Sequence, residues 1–174
     1  KHKDVGHMKI LIVEDEKHLN DLLYDYVKNT FKDAEVTQIE DGYDALIAVQ
    51  EHSFDIVLLD VMLPHVDGFE ICKKLRETSS TPVIMLSALS DEDNQIKGYN
   101  LGIDEYIPKP YSPKLVVKKI EAVLARSIAK DTDAMVTYGI IEYNLSNHAI
   151  QIEGQTIELN KKEWDLFTLF IHNP

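Results

Sequence analysis

Polar residues at the ends of several apolar runs could together hold a phosphoryl group. Glu14 and Asp15 follow the first run, Asp60 and Ser87 end two later runs, and Lys109 follows the last. Three converging carboxylates would repel and raise one another's pKa values, so the arrangement requires a cation, and hard oxygen ligands in small number suit Mg²⁺. With Lys109 balancing phosphate charge and Ser87 donating to it, the set indicates phosphoryl transfer onto an aspartate.

The elements around these residues alternate between short apolar runs and helical patterns. Lys9 to Val13 is a continuous branched run, typical of a strand buried on both faces, and apolar residues from Leu19 to Val27 then recur at helical spacing. Five such units predict an α/β fold with a doubly wound parallel sheet, because parallel strands need crossover connections. The predicted strands are 9–13, 35–39, 54–59, 82–86 and 103–107, and the later helices are 43–50, 69–75, 92–101 and 113–125.

The predicted sheet brings the polar residues to one edge. Taken singly, an acid after a strand commonly caps a helix or forms a turn. In an open parallel sheet, however, ligands bind outside the carboxyl ends of the strands, where the winding reverses. In the flavodoxin-like order 2-1-3-4-5, the four strands that carry these residues are neighbours, so all of the polar groups can contact one ligand.

Four segments, in order, resemble the receiver domain of two-component response regulators. They are Glu14-Asp15-Glu16, DVMLPHVDG from Asp60 to Gly68, Ser87-Ala88, and DEYIPKPYSP from Asp104 to Pro113. The resemblance covers roughly 120 residues, an ordinary size for one domain. It predicts a flavodoxin-like (βα)5 receiver domain over residues 8–128, and it implies a sensor histidine kinase as phosphodonor.

The resemblance also implies a metal centre. Asp60 is the implied phosphoacceptor, and Asp15 and Asp60 are implied to coordinate Mg²⁺, or Mn²⁺ as an alternative, with the backbone carbonyl of Met62. Glu14 is implied to reach the metal through water.

Further roles are expected around the phosphoryl group. The resemblance implies Lys109 and Ser87 as phosphoryl contacts and a cis peptide bond before Pro110. We expect Ser87 and Tyr106 to act as a switch, because a hydroxyl drawn toward the phosphate vacates space that an aromatic ring can fill.

The remainder of the chain predicts the start of a second domain. Residues 129–135 lack a sustained period and are predicted to be a linker. Residues 136–174 combine short strand patterns with a capping-box helix start at Asn160, and they resemble the start of the winged-helix domain of the OmpR/PhoB family. We therefore expect an incomplete α+β domain without a recognition helix, so that promoter DNA is contacted only through residues beyond 174.

In the OmpR/PhoB family, activated receivers pair through helix 4, strand 5 and helix 5. A homodimer on phosphorylation is therefore implied here, with a contact more apolar than usual because Leu115 stands where an acidic residue is common. The predicted dimer face carries Lys97, Asp104, Glu105, Leu115, Lys119 and Arg126.

Composition argues against nucleic-acid binding by this chain, an intramolecular disulfide and a membrane segment. A net charge of −12 opposes nucleic-acid binding by this chain itself. The single cysteine, Cys72, excludes an intramolecular disulfide and fits a reducing cytoplasm. The most apolar stretch, 54–63, contains two aspartates and is far shorter than the ~20 residues of a membrane span, so no membrane segment is expected. Residues 1–7 resemble the remnant of a tag.

Two other functions remain open at this stage. A metal-dependent phosphatase with an aspartyl intermediate would need a second acid soon after its nucleophile, but Val61-Met62-Leu63 follow Asp60. We therefore expect a phosphoacceptor, capable at most of self-dephosphorylation, and not a turnover enzyme. A stand-alone protein-binding receiver is the other alternative, and the winged-helix start argues against it.

Overall fold

The computed structural model describes residues 7–89, 91–132, 136–144, 149–160, 162–164 and 166–167. The chain divides into two compact units between Leu124 and Ala125, a few residues before the predicted end of the receiver domain. Among the described residues, no helix has the length and apolar character needed to span a membrane.

The first unit consists of five strands alternating with five helices, and the strands form one parallel sheet in the order β2-β1-β3-β4-β5. This confirms the predicted flavodoxin-like fold class and strand order. The elements are β1 Lys9–Val13, α1 Lys17–Thr30, β2 Glu35–Ile39, α2 Gly42–Glu51, β3 Ile56–Asp60, α3 Gly68–Thr78, β4 Val83–Ser87, α4 Glu92–Asn100, β5 Glu105–Pro108 and α5 Pro113–Thr132.

The core lies in two apolar layers, one on each face of the sheet. In β1, Ile10 and Ile12 pack with α1 and α5 on one face, whereas Leu11 and Val13 pack with α2 and α3 on the other. Strands β3 and β4 are buried at every position. Burial on both faces explains why these strands are continuous apolar runs in the sequence.

Three helices begin with an aspartate cap beside the carboxyl edge of the sheet. The carboxylates of Asp41, Asp67 and Asp91 accept hydrogen bonds from backbone N–H groups in the first turns of α2, α3 and α4. Such caps satisfy N–H groups that have no partner within the helix. They fix the loops that surround the predicted site.

Helix α5 is longer than the sequence pattern indicated. The pattern ended the helix at Ala125 and placed a linker over 129–135, but the helix continues to Thr132. The segment from Arg126 to Thr132 contains no glycine or proline, so no residue in it stops the helix. Residues 133–135 of the predicted linker lie outside the described residues.

The second unit contains an antiparallel sheet in the order β6-β7-β8-β9. A turn at Gly139, with φ 64°, separates the first two strands of this sheet. A hairpin turn at Glu153 and Gly154, with φ values of 50° and 79°, joins its last two strands. The strands are β6 Val136–Tyr138, β7 Ile141–Asn144, β8 Ala149–Ile152 and β9 Gln155–Ile157.

The predicted capping box after β9 is also present. The Asn160 N–H donates to Glu163 Oε2 at 2.8 Å, and the Glu163 N–H donates to Asn160 Oδ1 at 3.1 Å. Trp164 is buried and its ring lies 5.5 Å from that of Phe167. This sheet followed by a capped helix start agrees with the beginning of a winged-helix domain.

Candidate functional site

Three carboxylates converge at the carboxyl edge of the parallel sheet. Glu14 follows β1 and Asp60 ends β3, and both are buried, whereas Asp15 is exposed. One carboxylate oxygen from each of the three lies within 4.8 Å of the others. The structure therefore brings together the three acids that the sequence pattern singled out.

Lys109, directly after β5, lies against two of these acids. Its Nζ is 2.6 Å from Asp60 Oδ2 and 2.7 Å from Glu14 Oε2. The expected cis bond between Lys109 and Pro110 is present. The ammonium therefore connects the carboxyl end of β5 to the ends of β1 and β3, and β4 lies between β3 and β5 in the sheet.

Burial and charge perturb the protons of this cluster. Burial is the largest cause that raises the pKa of Glu14, and the charge of Asp60 adds to it. Lys109 opposes both effects, and the result is a pKa of about 7. Burial lowers the pKa of Lys109, but hydrogen bonds and charge interactions with Asp60 and Glu14 outweigh it, so that this pKa is raised.

The donor set fits a divalent cation. Three ionised carboxylates and one ammonium leave two negative charges, and the oxygens lie close enough to share one ion. Carboxylate oxygens are the ligands that Mg²⁺ and Mn²⁺ prefer. The arrangement can therefore hold a metal ion beside Asp60.

The loop after Asp60 is fixed by close backbone contacts. The Met62 N–H donates to Asp60 Oδ1 at 3.0 Å. The Gly68 N–H donates to the carbonyl of Val61 at 2.8 Å. A Cβ atom at Gly68 would lie 2.2 Å from the Asp60 carbonyl oxygen, so only glycine fits where α3 begins. The same contacts hold the Asp60 side chain and the Met62 backbone next to each other.

This loop is also bound to the start of α2. The Gly42 N–H donates to the Pro64 carbonyl at 3.1 Å. The Asp41 carboxylate lies 2.5 Å from Nδ1 of His65, a residue with φ 67°. Desolvation raises the pKa of Asp41, but the hydrogen bonds from His65 and two backbone N–H groups lower it overall. These contacts therefore hold the loop after Asp60 against the start of α2.

Ser87 and Tyr106 are both buried, and they share a backbone partner. Ser87 Oγ accepts a hydrogen bond from the Leu89 N–H at 3.0 Å, and the Tyr106 hydroxyl donates to the Leu89 carbonyl. Burial is the main cause that raises the pKa of Tyr106. The sequence pattern paired these two side chains but did not identify Leu89 as the link between them.

The charged residues of the predicted dimer face make contacts within the chain. Lys119 Nζ lies 3.4 Å from Glu105, and Asp104 accepts a hydrogen bond from the Val83 N–H at 3.0 Å. Lys97 Nζ lies 4.2 Å from the centre of the Phe69 ring, over an aromatic face. Arg126 is exposed on α5, and the Leu115 side chain is 48% exposed.

Asn20 is a buried residue at the site that the sequence pattern missed. The pattern built the apolar face of α1 from Leu19, Leu22, Leu23, Tyr26 and Val27. Leu23 and Val27 are indeed buried, but Asn20, which the pattern left out, is the third buried residue that the structure describes in that helix. A polar residue on the buried face of a helix is the available signal, because such groups need hydrogen-bond partners.

Comparison with known proteins identifies the family. Residues 10–121 match the response regulator receiver domain. The transcriptional regulatory protein CiaR of Streptococcus pneumoniae is 36% identical over 167 residues, covering 95% of this chain and 73% of CiaR. The sensory transduction protein RegX3 of Mycolicibacterium smegmatis is 38% identical over 168 residues, covering 94% and 73% of the two chains.

Solved structures agree with these matches. The response regulator DrrB, a Thermotoga maritima OmpR/PhoB homolog, superimposes with a TM-score of 0.61 at 28% identity, covering 96% of this chain and 73% of DrrB. The BeF3-activated DrrB receiver domain gives a TM-score of 0.63 at 34% identity, covering 69% of this chain and 99% of that domain.

The doubly wound sheet with acids at its carboxyl edge defines a receiver-type signalling protein. The chain belongs to the two-component response regulators of the OmpR/PhoB type. Receiver domains bind Mg²⁺ through an acidic pocket, and membership implies a histidine kinase partner and DNA binding. The relatives are regulators, which confirms the prediction that this chain is not a turnover enzyme.

Proposed function

We propose that Asp60 is the phosphoacceptor of this response regulator. The observation that carries the proposal is the contact of Asp60 with Lys109 at 2.6 Å, inside a cluster that also contains Glu14 and Asp15. Asp60 is buried at the end of β3, where its carboxylate has a fixed position. Lys109 balances charge on the incoming phosphoryl group, and the Ser87 hydroxyl donates to it.

Asp15 and Asp60 hold Mg²⁺ or Mn²⁺ together with the Met62 carbonyl, and Glu14 acts through a water molecule. The bound ion neutralises phosphate oxygens during transfer. The closeness of the three carboxylates supports this assignment. Of the two acids after β1, Asp15 is a direct ligand and Glu14 is not. Asp15→Asn should therefore weaken Mg²⁺ binding more than Glu14→Gln.

The donor is a phosphohistidine of a sensor kinase. An Asp60 carboxylate oxygen attacks phosphorus, a P–O bond forms and the P–N bond breaks, and the imidazole nitrogen keeps the bonding electron pair. The product is an aspartyl phosphate, which changes the contacts of Ser87 and Lys109. Promoter DNA is the target of the output, so we also propose a cytoplasmic location.

A small phosphodonor with Mg²⁺ tests the proposal directly. Intact-mass spectrometry should show one added phosphoryl group on the wild type, none on Asp60→Asn, and none after metal chelation. Asp44→Asn is a matched control, because Asp44 is an exposed aspartate on α2, and it should label like the wild type. Equal labelling of Asp60→Asn and the wild type would refute the assignment.

A further inference from the structure

We propose that Asn20 is a positioning residue, which fixes the backbone of the acids after β1 for Mg²⁺ binding. The inference rests on the proposed function of the acid cluster. Asn20 lies on α1 and is 1% exposed. Its Nδ2 donates to the Glu14 carbonyl at 2.8 Å and to the Ile39 carbonyl at 3.2 Å.

These hydrogen bonds hold the Glu14 backbone on both sides. The Glu14 N–H donates to the Ile39 carbonyl at 3.1 Å, and the Glu14 carbonyl accepts from Asn20. This backbone sets the direction of the Glu14 side chain and the position of the Asp15 backbone that follows it. Asn20 therefore ties the position of two acids to the end of β2.

The start of α1 differs from the starts of the other helices near the site, because its N-cap residue makes no side-chain hydrogen bond. Helices α2, α3 and α4 begin with aspartate side chains that cap them. At the start of α1, Glu16 makes no side-chain cap. Asn20, one turn into the helix, instead provides the side-chain link between this helix and the loop that carries Glu14 and Asp15.

The carboxamide of Asn20 has only one orientation that satisfies its partners. Gln38 Nε2 donates to Asn20 Oδ1 at 3.0 Å and to Asp21 Oδ1 at 3.2 Å. Because an ionised carboxylate only accepts, Asp21 fixes the amide nitrogen of Gln38 on this side. The Asn20 oxygen then faces Gln38, and its nitrogen faces two carbonyls that also only accept.

Loss of this network should lower the affinity for Mg²⁺ more than it lowers the stability of the folded protein. Residues that support metal ligands typically contribute a factor of about 10 to 100 to affinity. Without the Asn20 donor, the buried Glu14 carbonyl loses a hydrogen bond and the acid loop rearranges to recover one. Bringing the three carboxylates together around a metal ion then costs more free energy than it does in the wild type.

Titration calorimetry with Mg²⁺ alone tests the proposal on the full chain. Asn20→Ala should raise the dissociation constant about tenfold or more. Gln38→Ala removes only the residue that orients the carboxamide and should raise it less. Leu23→Ala is the matched control, because Leu23 is equally buried on α1: it should lower the free energy of unfolding but leave the dissociation constant unchanged.

Hydrogen exchange of the metal-free protein gives a second readout. The amides of residues 14–16 should exchange faster in Asn20→Ala, and Leu23→Ala should not single them out. Unchanged exchange there, or a wild-type dissociation constant in Asn20→Ala, overturns the positioning role. Failure of the wild type to bind Mg²⁺ would instead contradict the proposed function. If Asn20→Ala does not fold, Gln38→Ala, a change at an exposed residue, is compared with the wild type by the same two measurements.

Discussion

Lys109 Nζ lies 2.6 Å from Asp60 Oδ2, so that one ion pair joins the carboxyl ends of β3 and β5. The same ammonium contacts Glu14 at 2.7 Å. Both carboxylates are almost fully buried, and their mutual repulsion is offset by this cation. The proposed phosphorylation site is therefore also a point at which the stability of the sheet depends on charge.

We expect Lys109→Met to lower the free energy of unfolding of the metal-free protein by about 3 kcal/mol at pH 8, because it leaves two buried acids without their cation. The loss should be smaller at pH 5, where Glu14 is protonated. Urea unfolding followed by circular dichroism measures both values. Lys118→Met removes an exposed ion pair with Glu121 and should cost less than about 1 kcal/mol. Equal losses in the two variants would contradict the prediction.

The raised pKa of Glu14 predicts the direction of a pH dependence. Between pH 4.5 and about 7 the folded protein keeps a proton on Glu14 that the unfolded chain has released. The contribution of this proton to stability is therefore complete below pH 4.5 and is lost as the pH rises to about 7. Relative to Glu14→Gln, the wild type should lose free energy of unfolding from pH 5 to pH 8 in the presence of chelator. A difference that stays constant or rises with pH would contradict this assignment.

The shared contacts of Leu89 predict how phosphorylation reaches Tyr106. A phosphoryl group that draws the Ser87 hydroxyl away changes the partner of the Leu89 N–H, while Tyr106 binds the carbonyl of the same residue. Tyr106→Ala and Tyr106→Phe should accept phosphate normally but weaken activated self-association about fivefold or more. Mass spectrometry and sedimentation velocity measure the two effects. The coupling idea fails if Tyr106→Ala leaves both labelling and association unchanged.

Particular residues show how far the sequence could predict this molecule. Strand order and the meeting of Glu14, Asp60 and Lys109 were predictable, because continuous apolar runs set the strands and parallel topology brings their ends together. The position of Lys97 over Phe69 was not, since a helical pattern does not specify which neighbour a long side chain covers. The length of α5 was missed because weak periodicity was taken as the end of a helix.

Exposed apolar side chains predict the character of the activated dimer. Ile96, Tyr99 and Leu115 on α4 and α5 are each 48% exposed, whereas Glu105 and Lys119 already pair within one chain. We expect Leu115→Asp to weaken the phosphorylation-induced dimer at least about tenfold, by placing an unpaired charge in the contact.

Sedimentation velocity with phosphodonor and Mg²⁺ should show this loss. Ile47→Asp, at an exposed apolar position on α2, is the matched control and should dimerise normally. Lys119→Glu should weaken the dimer as well, and raised salt should have only a small effect. No change of the wild type on activation, or normal dimers of Leu115→Asp, would exclude this face.

The last prediction is that these 174 residues do not bind promoter DNA specifically. Sequence readout by a winged-helix protein requires a recognition helix in the major groove and basic residues on the phosphates. From residue 129 onward, the chain has three lysines against seven acidic residues, and the whole chain has a net charge of −12. Phosphorylation adds negative charge, and dimerisation only doubles a contact surface that must already exist.

Fluorescence anisotropy at moderate salt should therefore show at most weak binding that does not distinguish promoter from unrelated duplex. A chain extended beyond Pro174 by a complete winged helix should bind paired half-sites, with affinity that falls as salt rises because lysine and arginine contacts release counterions. Tight and sequence-selective binding by the 174-residue chain would show that the DNA-reading surface lies within it, and the acidic character of residues 129–174 would then have to be offset by a local basic patch.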